Sequence, residues 1–303
     1  MINVLLSTYN GTHYLPTLLD SLIAQDHPDI TISIRDDGST DGTPDILSTY
    51  SQKHDHISFS AGSNIGVNHS FFALLTNVSE EAEYVAFCDQ DDFWQIDKIS
   101  RAVGILADRG IDGPVMYCSR LTIADEHLKT IRLSSPPLRG TSFNNALVEN
   151  IATGATVVLN RDAVELLTGN NPDIDKLEMY DWWIYQVLSA LGEVVYDDQS
   201  RIISRQHGGN VVGLSYGLNR LRSKLNNART GETSVITTQV QEFSRLFRDS
   251  LSSEDREVID QYLVTVTDGN ILNRTKYALS GRVYRQNALD DMLLRLRIIS
   301  GRI

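Results

Sequence analysis

Over its first 110 residues the chain alternates strand-like and helix-like segments, and each strand runs directly into polar groups. Residues 2–7 read as a buried strand, and it ends in Ser7-Thr8-Tyr9-Asn10. Leu15, Leu18, Leu19, Leu22 and Ile23 then recur at helical spacing. Ile30, Ile32 and Ile34 alternate as a strand and lead into Asp36-Asp37-Gly38-Ser39. Pro44 suits the first turn of the next helix, with Asp41 or Thr43 as its cap. Residues 57–60 read as a short strand, and residues 63–75 as a turn followed by a helix. Residues 84–88 read as a fourth strand, and residues 97–109 as a helix stopped by Gly110. This order predicts an α/β fold, with a mostly parallel, Rossmann-like sheet and helices on both faces.

The later chain is more mixed. Residues 115–119, 156–160, 193–196 and 202–205 read as strands, and residues 181–191 as a helix ended by Gly192. Beyond about Gly213 the pattern is helical. Ile236, Val240, Phe243 and Phe247 share one helix face, and Leu289, Met292, Leu293 and Leu296 share another. The expected division is an α/β domain over residues 1–213 and a helical C-terminal extension over residues 214–303.

The net charge of −12 argues against a general nucleic-acid binder. The charge is uneven. Residues 1–214 carry 13 Lys+Arg against 29 Asp+Glu, a net of −16, whereas residues 215–303 carry 14 against 10, a net of +4. Arg220, Arg222, Lys224 and Arg229 open that basic tail, and Arg282, Arg285, Arg295 and Arg297 lie near its end. Two readings stand for the tail: an interfacial amphipathic helix on the inner face of the plasma membrane, or helices packed on the α/β domain or in a homodimer. Cys88 and Cys118 sit in apolar strand-like runs and read as small buried hydrophobes of a reducing compartment. No stretch approaches the ~20 apolar residues of a membrane span, and the N-terminus lacks the pattern of a signal peptide. The expected location is the cytoplasm.

The stretch "YVAFCDQDDFW" poses a chemical problem, because a buried strand enters Asp89, Asp91 and Asp92 within four residues. Carboxylates that close repel unless solvent screens them or a cation joins them. In open parallel sheets, ligands bind beyond the carboxyl ends of the strands. Neither G-x-G-x-x-G after the first strand nor G-x-x-x-x-G-K-[ST] anywhere is present, so the usual phosphate-cradling loops are missing. A bound Mn²⁺ or Mg²⁺, held by one or two carboxylates plus diphosphate oxygens, is the natural substitute. Each group also has a plainer reading. Tyr9 suits ordinary packing, Asp36-Asp37-Gly-Ser suits a turn, Asp92 suits a helix cap, and Asn64 with Gly66 suits the turn before a helix.

The segments "VLLSTYNG", "IRDDGSTDGT", "NIGVNHSF" and "FCDQDDFW", in that order, resemble the family 2 glycosyltransferases of the GT-A fold. The resemblance covers residues 1 to about 213, and it implies that residues 1–110 bind the nucleotide-sugar and residues 111–213 form the acceptor side. It implies a nucleotide-sugar donor, a divalent cation and inversion at the anomeric carbon. It further implies that Tyr9 and Asp37 contact the base, that Asp36 supports the nucleotide site with Ser7 and Asn64, and that Asp89 and Asp91 meet ribose or sugar and metal.

An inverting transfer needs a base for the acceptor hydroxyl. Asp181, at an expected helix N-terminus and beside Trp182 and Trp183, fits that role, with the tryptophans as a stacking surface for a sugar. An N-cap aspartate with two core tryptophans fits the same letters, and the family resemblance favours the base. "MYDWW" followed by "RQHGGNVVG" resembles the bacterial rhamnosyltransferases, although Tyr180 stands where many of them have His. The implied donor is dTDP-rhamnose, with UDP-glucose, UDP-galactose and a UDP-N-acetylhexosamine as alternatives. The implied acceptor is a saccharide, free or lipid-linked, of a cell-surface polysaccharide. Arg205 suits the diphosphate, and His207 the metal or phosphate. Gly154, in "ATGATVVLNR", would allow close approach on the acceptor side. Two other classes compete: a Mg²⁺-dependent nucleotidyltransferase or phosphatase, and a carbohydrate-binding module without catalysis.

Overall fold

The computed structural model describes residues 1–206 and 235–303. His207 and the basic cluster Arg220, Arg222, Lys224 and Arg229 lie outside the described residues. Two compact units are present. The first comprises Met1–Pro136, Ala152–Asn171 and Gly192–Gln206. The second comprises Pro137–Ile151, Pro172–Leu191 and, among the described residues, 235–303.

The first unit is built on β1 (Ile2–Thr8), α1 (Leu15–Ile23), β2 (Ile30–Asp36), α2 (Thr43–Lys53), β3 (Ile57–Ala61), α3 (Val67–Thr76) and β4 (Tyr84–Asp89). β5 (Phe93–Trp94), α4 (Lys98–Arg109), β6 (Val115–Ser119), β7 (Thr122–Ala124) and β8 (Thr130–Leu133) follow. Chain that returns after an excursion into the second unit adds β9 (Val158–Asn160), α6 (Arg161–Thr168), β10 (Glu193–Asp197) and β11 (Ile202–Arg205). Seven strands make the main sheet, in the order β10-β6-β9-β4-β1-β2-β3. Only β9 runs antiparallel to its neighbours. Residues 156–160, expected as one strand, divide into a 3₁₀ turn over Gly154–Thr156 and the three-residue β9. A smaller sheet, β5-β11-β7-β8, stands beside it.

β1 is buried along nearly its whole length, as a central parallel strand with both faces covered must be. It pairs with β2 on one side and β4 on the other. Leu15, Leu18, Leu19 and Leu22 of α1 are buried in the core that packs Val4, Leu6, Ile32 and Ile34. On α3, Phe71 meets Phe87 of β4 edge-on at 5.7 Å. Each such side chain contributes stability on the scale of its truncation cost, roughly 2–5 kcal/mol. α4 ends at Gly110, whose φ of +55° is the left-handed conformation of a helix C-cap. Cys88 and Cys118 are buried and unbridged, as expected, and burial pushes both thiols up.

The second unit is helical: α5 (Phe143–Ala146), α7 (Tyr180–Leu191), α8 (Val235–Phe247), α9 (Ser253–Thr267), α10 (Ile271–Ser280) and α11 (Ala288–Ser300). Val240, Phe243 and Phe247 of α8 are buried, as their spacing predicts. No helix among the described residues is long and apolar enough to cross a membrane.

Candidate functional site

The chain runs β1→β2→β3 outward in one direction, and β4 then returns to the opposite side of β1. That reversal leaves a crevice at the carboxyl ends of β1 and β4, the place where open α/β sheets bind ligands. The strand registers bring the polar tails together: Ser7 pairs with Asp89, and Thr8 with Asp36.

Each tail is fixed by its own hydrogen bonds. Asp36 is 1% exposed and accepts from the Thr8 hydroxyl at 3.0 Å and from the backbone N–H and hydroxyl of Ser39. Gly38 turns the chain there with a φ of +81°, and a Cβ on it would meet the Asn64 nitrogen at 2.9 Å, so only glycine fits. Asp37 is also buried. It pairs with Arg35 and accepts from the N–H groups of Ile65 (2.8 Å) and Gly66 (2.9 Å). Arg35 donates further to the Ser70 hydroxyl and the Ser63 carbonyl. Ser7 shares a hydrogen bond of 2.7 Å with Ser70, tying β1 to α3. Asp41 accepts from the Thr43 N–H, but the N-cap position of α2 is Gly42, so neither Asp41 nor Thr43 is the cap residue expected. Asn64 is exposed on this rim, and Tyr9 is 47% exposed, so its ring is open to a planar ligand.

The acidic turn after β4 divides its carboxylates. Asp89 and Asp91 are half-buried at the surface, whereas Asp92 is 3% exposed. Asp92 does not cap the next helix. Its carboxylate accepts from the Ser204 hydroxyl and the Arg205 N–H, and burial, then the charges of Asp89 and Asp91, push its pKa well up. Arg205 is buried. It donates to the Asp91 carbonyl at 3.1 Å and the Glu126 carbonyl at 2.6 Å, and stacks over the Tyr14 ring. Arg205 therefore belongs to the turn that presents Asp91.

Among the described residues, no group of three or more His, Cys, Asp or Glu side chains could hold a metal by itself. Asp89 and Asp91 nevertheless fit a hard dication, because Mg²⁺ or Mn²⁺ in such sites takes one or two carboxylates and completes its shell with phosphate oxygens and water.

Gly154 is buried at the start of its 3₁₀ turn. In the second unit, Asp181 is the second residue of α7 and 7% exposed, with an oxygen 2.7 Å from the Trp182 nitrogen. Trp182 is 9% exposed, and its indole donates to the Ala146 carbonyl. Trp183 corrects an expectation. It is fully buried against Phe243 and Phe247, with ring centroids 6.1 Å away from each, and offers no face to a sugar. It is a core residue because α7 is buried all round from Tyr180 to Leu188.

Sequence reasoning missed three contributors. Gln90 lies inside the acidic motif and grips the Tyr9 backbone. Arg35 precedes the Asp36-Asp37 pair on β2, and the only signal available was a cation beside two carboxylates. Ser204, one position before Arg205, carried none.

A match to Glycosyl transferase family 2 spans residues 3–167, more than half of the chain. The dTDP-rhamnosyl transferase RfbG of Shigella flexneri is 28% identical over 217 residues, covering 69% of this chain and 73% of that protein. An uncharacterized glycosyltransferase of Nostoc sp. is 38% identical over 138 residues, covering 44% of this chain and 40% of that one. Among solved structures, S. aureus TarS 1-349 in complex with UDP superposes with a TM-score of 0.59 at 17% identity, covering 98% of this chain and 82% of that one. The mannosyltransferase PcManGT of Pyrobaculum calidifontis, in complex with GDP-Man and Mn²⁺, superposes with a TM-score of 0.56 at 17% identity, covering 98% and 80%. The likeness to these structures is one of fold, while the family match runs through β1, β2 and β4 with their polar tails. That match takes in more than half of the chain, including the sheet edge that carries those tails, and the chain is a glycosyltransferase of family 2.

Proposed function

We propose that the protein is an inverting glycosyltransferase, dependent on Mn²⁺ or Mg²⁺, that transfers L-rhamnose from dTDP-rhamnose to a saccharide or lipid-linked saccharide of a bacterial surface polysaccharide. The observation that carries the reading is the junction of β1 and β4, where exposed Tyr9 is locked to the turn bearing Asp89 and Asp91, beside the saturated Asp36-Asp37 turn. Tyr9 receives the base, and the turns fixed by Asp36 and Asp37, with Ser7 and Asn64, shape that end. Asp89 meets ribose or sugar. Asp91, with Asp89, holds the cation. When bound, the cation neutralises charge on the leaving diphosphate. The acceptor oxygen forms a bond to the anomeric carbon as the bond from that carbon to the diphosphate breaks. Asp181 takes the hydroxyl proton, and the nucleoside diphosphate leaves with the bonding electrons. Trp182 and Gly154 serve the acceptor.

The rhamnose assignment is supported by the similarity to the Shigella flexneri enzyme. A UDP-sugar is the second reading, favoured by the fold shared with TarS in its UDP and UDP-GlcNAc complexes. Calorimetry with dTDP-rhamnose, UDP-glucose, UDP-galactose and UDP-GlcNAc, each with and without Mn²⁺, separates them. The expected result is Mn²⁺-dependent binding, tightest for dTDP-rhamnose and lost in a folded Asp91→Ala variant. Unchanged Mn²⁺-dependent affinity in Asp91→Ala would remove the metal assignment, and preference for a UDP-sugar would remove the rhamnose assignment.

A further inference from the structure

One face of α8 grips the segment that leads into α7. Gln239, Glu242 and Phe243 lie at i, i+3 and i+4, and all three are buried. Glu242 accepts from the Asp173 N–H at 2.8 Å, and Phe243 packs on the Trp183 ring. Gln239 reaches α7 on both sides of Asp181. Its side-chain oxygen accepts from the Glu178 N–H at 2.9 Å, three residues before Asp181. Its amide nitrogen donates to the Gln186 side-chain oxygen at 2.9 Å, five residues after Asp181. α8 is itself tied to α9, where the Thr237 and Tyr262 hydroxyls share a hydrogen bond of 3.3 Å.

This amide pair is an expensive way to fill a core. Gln186 is fully buried on a helix that is buried all round, and its amide nitrogen has no partner among the described residues. Two methionines would occupy much the same volume without burying amides. Direction is what the amides add. Apolar contacts tolerate small slides and rotations of one helix on another, whereas two hydrogen bonds from one planar group fix where α7 starts and how it is turned against α8. Asp181 is the residue most sensitive to that setting. It is the second residue of α7 and 7% exposed. A general base works only within hydrogen-bond reach of its proton, and a misplacement of about 1 Å costs on the order of 10²-fold in rate.

We infer that Gln239 is a positioning residue that sets the Asp181 carboxylate by pinning α7 on both sides of it, so that the C-terminal helices tune the transfer step. The inference rests on the role proposed above for Asp181.

The test is a double-mutant cycle of Gln239→Met, Asp181→Asn and the pair. It reads thermal unfolding, calorimetric binding of dTDP-rhamnose and UDP-GlcNAc with Mn²⁺, and single-turnover nucleotide release from the donor that binds, with p-nitrophenyl α-L-rhamnoside or water as acceptor. Gln239→Met should unfold cooperatively, bind the donor within about threefold of the parent, and release nucleotide at least tenfold more slowly at saturating donor. In the Asp181→Asn background the same substitution should slow release no further. Parental release by a folded Gln239→Met overturns the inference, and so does a further tenfold loss on top of Asp181→Asn, which a merely structural role would produce. If Gln239→Met does not fold, Gln239→Met with Gln186→Met, which makes this part of the core apolar, takes its place. Slowed release at parental donor affinity then supports the inference, and parental release overturns it. Asp181→Asn that releases nucleotide at the parental rate removes Asp181 as the base and this inference with it. A parent that releases nucleotide from neither donor overturns the proposed function itself, an outcome seen before any variant is made.

Discussion

Tyr9 and Gln90 hold each other by two hydrogen bonds. The Tyr9 N–H donates to the Gln90 side-chain oxygen at 2.9 Å, and the Gln90 amide donates to the Tyr9 carbonyl at 3.0 Å. A side-chain amide thereby continues the backbone pairing of β1 with β4 past its last paired residues, Ser7 and Asp89. Gly11 is small for the same reason, since a Cβ there would collide with the Gln90 amide. Gln90→Ala exposes two backbone groups that water can reach, so it should cost only about 1 kcal/mol of stability. It also releases Tyr9 from the acidic turn, so Mn²⁺-nucleotide affinity should fall about tenfold. Urea unfolding and calorimetry on the same variant check both, and an unchanged affinity would detach Gln90 from the site.

Glu242 provides a pH signature for the helical unit. It is 1% exposed and accepts from Arg245, from the Asp173 N–H at 2.8 Å and from Lys176. Its pKa is held down to about 2, by the Arg245 hydrogen bonds first, against the opposing effect of burial. A carboxyl with a depressed folded value contributes stability above its unfolded value of 4.5 and loses that contribution as pH falls toward about 2. Glu242→Gln should therefore lower stability at pH 7 by about 1–3 kcal/mol. It should also flatten the stability profile between about pH 5 and 2. Chemical denaturation at a series of pH values is the measurement, and parallel profiles for the two proteins would refute it.

The parts of this molecule that were legible in the sequence are those where one short segment carries the whole cause. An apolar run that ends in Asp89-Gln90-Asp91-Asp92 identifies a strand and its ligand edge, because burial and charge change over one residue. The inward turn of Asp92 was not legible, because its partners, Ser204 and Arg205, lie over a hundred residues away. Trp183 shows a second limit. A tryptophan beside an aspartate has the same spelling whether it faces a sugar or a core, and Phe243 and Phe247 decide it. β5, β7 and β8 are two to four residues long and show no usable alternation. Periodicity also reports which face is buried, not which unit buries it, so nothing in residues 137–151 or 172–191 announced that they pack with the C-terminal helices.

The C-terminal helices carry exposed apolar side chains that solvent does not favour. Leu289, Met292 and Leu296 of α11 are each half exposed at helical spacing, and Leu272 and Leu279 of α10 more so. Residues 264–303 hold seven Lys+Arg against three Asp+Glu in a chain that is otherwise acidic. A surface both apolar and basic suits anionic lipid. Deleting residues 289–303 should reduce binding to phosphatidylglycerol-containing vesicles in a sedimentation assay, and added salt should weaken the parent's binding. Undetectable binding by the full chain at low salt would end the membrane reading and leave these side chains to a second subunit.

Asp181 supplies the last prediction. Asp36 and Asp37 are saturated by their own turns, Asp92 is buried by β11, and Asp89 with Asp91 suits the donor and its cation. The acceptor hydroxyl then needs a carboxylate from elsewhere in the chain. Asp181, at the N-terminus of α7, is favoured as an anion by the helix dipole. Asp181→Asn preserves size and most hydrogen bonding while removing the basic oxygen. Donor affinity with Mn²⁺ should stay within about threefold of the parent, and transfer should fall by at least ~10²-fold, the usual scale for a positioned base. The measurement pairs donor calorimetry with single-turnover transfer to a competent acceptor. Near-parental transfer by a folded Asp181→Asn would assign the base to another residue.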